Sequence, residues 1–505
     1  MRGTWIRALG VFLAISISVS AQSAYQQFTS MLGPNFYGNF SGNFLGTGAR
    51  AEGMGRAFLA VSDDISAVSW NPAGLVGHEK PVMGLSFGSM RPRGSFIDAG
   101  PLDGAGSRDY AAKQAGTLSN LDFLGFLSPI RIRGHQFVFS GAYSRQFEDY
   151  STVYTAFSGQ QPYSDQYGPF PDSLFDYNLI GIVEQRATPY AVNVGFGTRI
   201  YKSLNVGFAV NVYTGKQFNR TSYLINVPSF NTPNLLGNQT VVADQQLNLL
   251  DTFGFSGVNF TVGAKGTAGK FNYGAVLKSG FDLNIKGGLT FSDSVLYNGQ
   301  AQSDATITIF ADNQLIKLSI PWEVAGGVAY KATENLLLAA DVEYRPYQGK
   351  MVGRRDSTRI RSGTNNEEFF TPIDPGWFNC VGVRTGVEYL WHTGGKLAPI
   401  VPLRCGVGYT QVPGASFDTI PGLSLLPPDS VMARTPTSST AQLSLSAGAG
   451  IYWSQIHLDV AYSYTSLNRN VLSAFFVSQY LLPVVSYGEL KTRNHNLSLT
   501  FTGYF

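Results

Sequence analysis

The sequence predicts an all-β fold, a transmembrane antiparallel β-barrel of about 14 strands. Three observations predict it. The chain opens on an export signal and holds no later helix able to span a bilayer. Its segments alternate apolar and polar side chains, and its connections alternate short and long.

The export signal comes first. Arg2 and Arg7 precede an apolar run from Ala8 to Val19, and Val19-Ser20-Ala21 supplies small residues for cleavage before Gln22. About 12 apolar residues are too few for a membrane anchor, which needs about 20. Residues 1–21 therefore read as a signal peptide, and export points to the outer membrane of a Gram-negative cell. Cleavage leaves 505 − 21 = 484 residues carrying 34 basic and 33 acidic side chains. That balance offers no basic stripe for nucleic acid. A mean hydropathy of −0.01 with 14% charged residues leaves too few charges for an ordinary soluble surface. The most apolar later segment, Val471 to Val485, is short and broken by Ser473, Ser478, Gln479 and Pro483. A membrane chain without spanning helices must close into a barrel, because every backbone group in lipid has to bond internally.

The strands are read from their period of two. From His495, Leu497, Leu499, Phe501, Gly503 and Phe505 alternate with Asn496, Ser498, Thr500, Thr502 and Tyr504. One face suits lipid and the other the lumen. A closing Phe505 also resembles the signal read by barrel assembly machinery, an expected partner along with outer-membrane lipids. The pattern recurs at 456–464, 443–451, 403–409, 381–389, 336–344, 322–330, 271–278, 258–265, 204–213, 190–200 and 137–143, with weaker candidates at 121–127 and 83–87.

Connections give an independent check. Joins near 129–135, 201–203, 267–270, 331–334, 391–400 and 453–454 are short, whereas 91–118, 146–189, 215–256, 282–321, 346–379, 411–440 and 466–494 are long. Short periplasmic turns and long extracellular loops are the habit of membrane barrels. Trp391 and Trp453 fall at expected turns and Trp322 and Trp377 near the expected outer rim, the two levels of aromatic girdles. Cys380 and Cys405 lie on neighbouring strands, opposite about residues 411 and 386. The offset is roughly 20 Å along the strands, so no disulfide is expected.

Between signal and barrel, residues 22–80 read differently. They contain Gly46-Thr-Gly-Ala-Arg-Ala-Glu-Gly-Met-Gly55, then Ala57 to Asp64, then Trp70-Asn71-Pro72-Ala73-Gly74. Ala51 to Val61 suits a short helix, and Asn71-Pro72 opens a turn. A Gly-x-Gly match at Gly46 lacks the strand and βαβ context of a nucleotide site.

A glycine-rich run with Gly53 and Gly55, the Asp63-Asp64 step and the Asn71-Pro72-Ala73 box resemble the amino-terminal hatch of the long-chain fatty acid transporter (FadL-type) family. Ile320 to Tyr330 leading to Leu338–Tyr344, and Val381 to Tyr389 leading to Leu403–Tyr409, are similar to that family too. The resemblance implies a hatch over 22–80 inside a barrel over 81–505. It also implies uptake of hydrophobic small molecules such as long-chain fatty acids. A barrel of this width needs a plug or stays open, since side chains alone fill only about eight strands. The same hatch motif suits a second function, a FadL-like scaffold subunit of a type IX-like protein secretion system. Loops such as Tyr150 to Tyr177 are longer and richer in Tyr, Gln, Asn and Ser than a fatty-acid groove suggests.

No catalytic constellation is legible, and neither a cofactor nor a metal is expected. The five histidines (His78, His135, His392, His457 and His495) are scattered, and no Gly-x-Ser-x-Gly elbow occurs. Strand parity sends Arg199, Lys265, Glu323, Asp341, Glu343, Arg384, Glu388, Arg404 and Asp459 to the lumen. They read as a cross-strand network, a polar path or a clamp on the hatch. His457 and Asp459 share that face and fit either the network or an acid–base pair. Phe475, Phe476, Leu481 and Leu482, in the last outer join, read as a lid on the mouth or as contacts for an apolar ligand.

Overall fold

The computed structural model describes residues 46–101, 109–115, 117–146, 149–165, 168–231, 240–297, 300–350, 352–355, 370–373, 377–394, 400–417, 436–475 and 484–505. The signal expected at 1–21 and the first part of the expected hatch lie outside them.

Fourteen strands close a ring. They are β1 (Val82–Pro101), β2 (Leu118–Ile132), β3 (His135–Arg145), β4 (Gly168–Tyr201), β5 (Leu204–Asn231), β6 (Thr240–Ala268) and β7 (Phe271–Lys278). The second half comprises β8 (Glu323–Lys331), β9 (Leu336–Arg345), β10 (Cys380–His392), β11 (Ile400–Phe417), β12 (Pro436–Tyr452), β13 (Ile456–Phe475) and β14 (Val484–Tyr504). Each pairs antiparallel with the next, and β14 returns to β1 from Val82↔Tyr504 to Asp98↔Gly488. Closure leaves no edge, which is what lipid demands of a sheet.

Three of the short joins are two-residue turns, with Ile132 paired to His135, Tyr201 to Leu204 and Ala268 to Phe271. Arg133 and Gly134 hold φ of 51° and 81°, the left-handed pair a tight hairpin needs. Around the ring, outward side chains form an apolar band that includes Phe126, Val194, Phe208, Val262, Val328, Leu403, Leu445 and Phe501. A lipid-facing wall requires such a band.

The long joins depart from expectation. Much of their described length is strand rather than loop, and β4, β5 and β6 run for 34, 28 and 29 residues. About 9–11 residues cross a membrane, so these walls stand well above it. Six further strands build on them: Asp109–Ala115, Asp149–Asp165, Phe281–Tyr297, Gln300–Ile320, Val352–Arg355 and Phe370–Ile373. Of the stretch Val471 to Val485, residues 471–475 end β13 and 484–485 begin β14, so its described part is hairpin and not a helical lid. Phe475 closes β13, whereas Phe476, Leu481 and Leu482 lie outside the described residues.

Two smaller expectations also change. Trp377 is not at a lipid-facing rim; it is buried edge-on against Tyr347, 5.5 Å between ring centroids. Cys405 faces Val387, one residue from the expected partner. Both cysteines are free, Cys380 buried and Cys405 exposed.

Candidate functional site: a hatched and layered lumen

The segment from Gly46 to His78 folds inside the ring. It forms α1 (Ala49–Gly53), α2 (Ala67–Trp70) and a 3-10 turn, Pro72–Leu75. The helix expected over Ala51 to Val61 stops at Gly53, because Gly55 and Arg56 adopt φ of 62° and 67°. Gly55 has no alternative there. A Cβ at this position would lie 2.6 Å from the Val407 nitrogen on β11.

Side chains of the predicted box make the attachments. Asn71 donates through Nδ2 to the Leu59 and Ala264 carbonyls at 3.1 and 3.0 Å. Its Oδ1 accepts from the Ala73 N–H at 3.1 Å, capping the 3-10 turn that Pro72 opens. One buried amide thus joins two hatch segments to β6. Small Ala73 is fully buried, and the wall answers with glycines: a Cβ on Gly207 would lie 2.2 Å from the Pro72 carbonyl carbon.

Asp63 pairs with Arg50, while Asp64 accepts from the Ser66 N–H and hydroxyl at 2.8 and 2.6 Å, opening the turn into α2. Gly53 approaches Gly448 so closely that a Cβ would sit 3.1 Å from its Cα. Ser446 stitches this corner, accepting from the Gly55 N–H at 2.9 Å and donating to the Gly53 carbonyl at 3.2 Å.

The wall charges clamp the hatch. Arg50 meets Glu388 through two hydrogen bonds of 2.9 Å. Arg404 reaches Glu388 and Asp459 at 2.6 Å each. Asp341 on β9 accepts the Phe58 and Leu59 N–H groups at 2.7 and 2.9 Å, and Lys265 on β6 donates to the Val61 and Ser62 carbonyls at 2.8 and 2.6 Å. Burial lowers the Arg50 guanidinium, but Asp63 and Glu388 overcome this and raise it well above its usual value. His457 instead stacks on Tyr452, 3.8 Å between centroids, and Asp459 is engaged by Arg404. Arg199 is exposed at the short-turn end of β4.

Outside the hatch lies a belt of buried polar groups. Asn193, Asn211 and Asn259 form a ladder across β4 to β6 with bonds of 2.6 and 2.7 Å, and Ser144 on β3 donates to its end. The belt continues through Lys278, Glu323, Arg345, Glu343 and Arg384, each linked to the next within 3.2 Å. Every charge is matched by a neighbour of opposite sign, as low-dielectric burial demands.

Farther out, the inward face turns apolar. Tyr213, Phe253, Phe255, Leu283, Ile285, Leu318, Ile320, Tyr347 and Trp377 are buried together, with Phe281 packed on them. Tyr213 and Phe281 stack at 4.7 Å. Sequence reading missed this cluster, because it assigned 282–321 and 346–379 to loops. The signal is present in Phe281-Asp-Leu-Asn-Ile-Lys286 and Lys317-Leu-Ser-Ile320, which keep the period of two beyond the membrane.

These layers define a class: a closed membrane barrel whose lumen holds an amino-terminal hatch beneath a polar belt and an aromatic, apolar mouth. No protein-family model matches the chain, and no curated protein matches it in sequence. Solved structures do match. A Pseudomonas aeruginosa FadL homologue aligns with TM-score 0.53 at 14% identity, covering 92% of this chain and 100% of that one. The TodX deltaS2S3 mutant monoaromatic hydrocarbon channel aligns with TM-score 0.51 at 12% identity, covering 91% and 99%. The fold of the chain is that of the FadL-type barrels.

Proposed function

We propose that the chain is an outer-membrane channel of a Gram-negative bacterium that admits hydrophobic small molecules, long-chain fatty acids among them. The layered lumen carries this reading. A hatch held by buried hydrogen bonds bars polar solutes, and the buried aromatic cluster above it is an apolar layer that favours a hydrophobic molecule over a polar one. The solved FadL homologue and the monoaromatic hydrocarbon channel share the fold, which supports the reading. An exposed Phe505 at the carboxyl end suits recognition by assembly machinery.

The test is uptake by the purified chain in liposomes. Substituting Trp377→Ala and Tyr347→Ala is expected to slow entry of a labelled fatty acid or monoaromatic probe several-fold while ionic conductance stays unchanged. Equal rates for both chains overturn the reading. The tall extracellular walls favour a second function, a scaffold for exported proteins. Co-purification of a surface protein with the intact barrel, without apolar uptake, selects it.

A further inference from the structure

A second surface lies on the outside of the barrel. On the outward face of β4, β5, β6 and the strand Phe281–Tyr297, the continuous apolar rows end at Val192, Val212 and Val258, and farther out exposed apolar side chains such as Ile182, Phe218 and Leu250 stand among polar and charged neighbours. The next row outward is Tyr190, Thr214, Ser256 and Asn284, and the Tyr190 ring lies against Tyr143, 4.9 Å between centroids. An aromatic here marks the membrane interface.

Beyond that row the face becomes cationic. Lys216 and Lys286 both flank Gly254 in register, and Arg186 lies one row farther out beside Phe218. Arg220 follows, opposite Glu184. Arg186, Lys216, Arg220 and Lys286 are all exposed, and among the described residues none of them forms an ion pair. The described acidic groups on this face are Glu184, Asp282 and, farther out, Asp244; Asp282 accepts from the Ser319 hydroxyl at 2.9 Å and Asp244 from the Asn226 side-chain amide at 2.7 Å. Gly254 has no side chain, so the two lysines flank an open notch two strand spacings wide, about 10 Å.

Four unpaired cations grouped just outside a lipid band are not needed to hold the sheet, which is bonded by its backbone. Side chains that carry only solubility have no reason to gather within three successive rows of adjacent strands, where like charges repel. Their height is that of lipid headgroups, and their chemistry is that of a phosphate site. We propose that this face binds the phosphates of outer-leaflet glycolipid headgroups, with Lys216 and Lys286 on either side of the notch and Arg186 above it. The proposal rests on the outer-membrane placement argued above. It adds a lipid ligand distinct from whatever passes through the lumen.

Native mass spectrometry of the full chain in detergent tests it, using diphosphorylated lipid A and the same lipid stripped of phosphate as probes. The wild-type chain is expected to retain the diphosphorylated lipid at least about tenfold better than R186Q/K216Q/K286Q. Both chains should retain the phosphate-free lipid equally weakly. Charge-keeping R186K/K216R/K286R should behave as wild type. Equal retention of diphosphorylated lipid by wild type and R186Q/K216Q/K286Q overturns the proposal. Displacement by millimolar inorganic phosphate also overturns it, assigning the face to a soluble anion. If R186Q/K216Q/K286Q fails to show the heat-shifted band of a folded barrel, rising salt on the wild-type chain gives the readout, and salt-insensitive retention counts against phosphate binding. A chain absent from the outer-membrane fraction would overturn the placement itself, a separate outcome.

Discussion

Arg50 of the hatch and Glu388 of the wall lie 338 residues apart in sequence and meet in a two-point pair, Nε to Oε2 and Nη2 to Oε1, each 2.9 Å. Glu388 is shared with Arg404 of the wall, so the hatch completes a charge cluster that the barrel alone leaves open.

Breaking that pair should loosen the hatch and spare the barrel. Removing one partner of a buried pair costs about 3–5 kcal/mol, because the other charge is stranded. Arg50→Met is expected to keep the heat-shifted band while raising the frequency of open events in planar bilayers. The double change Arg50→Met/Glu388→Leu should open less often than Arg50→Met alone.

Asn71→Ala removes a cap and two donors at once. A buried group left unsatisfied costs about 1–3 kcal/mol, and here Leu59 and Ala264 each lose a donor to their carbonyl. Hydrogen exchange over residues 46–77 is expected to quicken several-fold, with exchange in β6 nearly unchanged. Equal acceleration in both would show that hatch and wall unfold together.

Two glycine substitutions separate crowding from backbone strain. Gly207→Ala places a Cβ 2.2 Å from the Pro72 backbone, so the hatch must move, and conductance to polar ions should rise. Gly77→Ala meets no atom within 4 Å but sits at φ +117°. It should cost of order 1–3 kcal/mol of local strain without enlarging the pore. Paired conductance and thermal-shift measurements check both.

Acid should release the hatch. Burial raises the Glu52 carboxyl, but the Arg56 guanidinium outweighs it and holds the carboxyl below its usual 4.5. Asp63 is likewise held below 3.8 by Arg50 against burial. A depressed carboxylate stabilises the fold above its unfolded pKa and loses that contribution as pH falls through the folded one. Release is therefore expected below about pH 4.5. Asp63 is half exposed and solvent screens its share, so Glu52→Gln should remove more of the dependence than Asp63→Asn. Asp64, raised by burial, acts in the opposite direction and shallows the curve. Conductance from pH 7 to pH 3 reads the window.

The barrel was legible because alternation in a wall strand is imposed by lipid on one side and lumen on the other. Val381 to Tyr389 and Ile456 to Tyr464 carry that constraint at every residue, and both are wall strands in the structure. The lumen charges followed from the same parity, and Asp341, Glu388 and Arg404 are buried. Their partners were hidden, because pairing a wall carboxylate with Arg50 or with the Phe58 N–H depends on how the hatch folds back. The strands beyond the membrane were lost for another reason: their alternation survives only in short runs such as Phe281 to Lys286, and Gly, Pro and Asn inside long pairings read as loop. The aromatic mouth was lost with them.

Uptake in a strain lacking the chain tests the central claim most directly, with a labelled long-chain fatty acid and a polar sugar followed side by side. Wild-type chain is expected to restore fatty acid entry without admitting the sugar, and a chain deleted for residues 42–74 should admit the sugar as well. Fatty acid entry that does not depend on the chain, or sugar entry through the wild-type chain, would contradict a hatched channel for hydrophobic molecules.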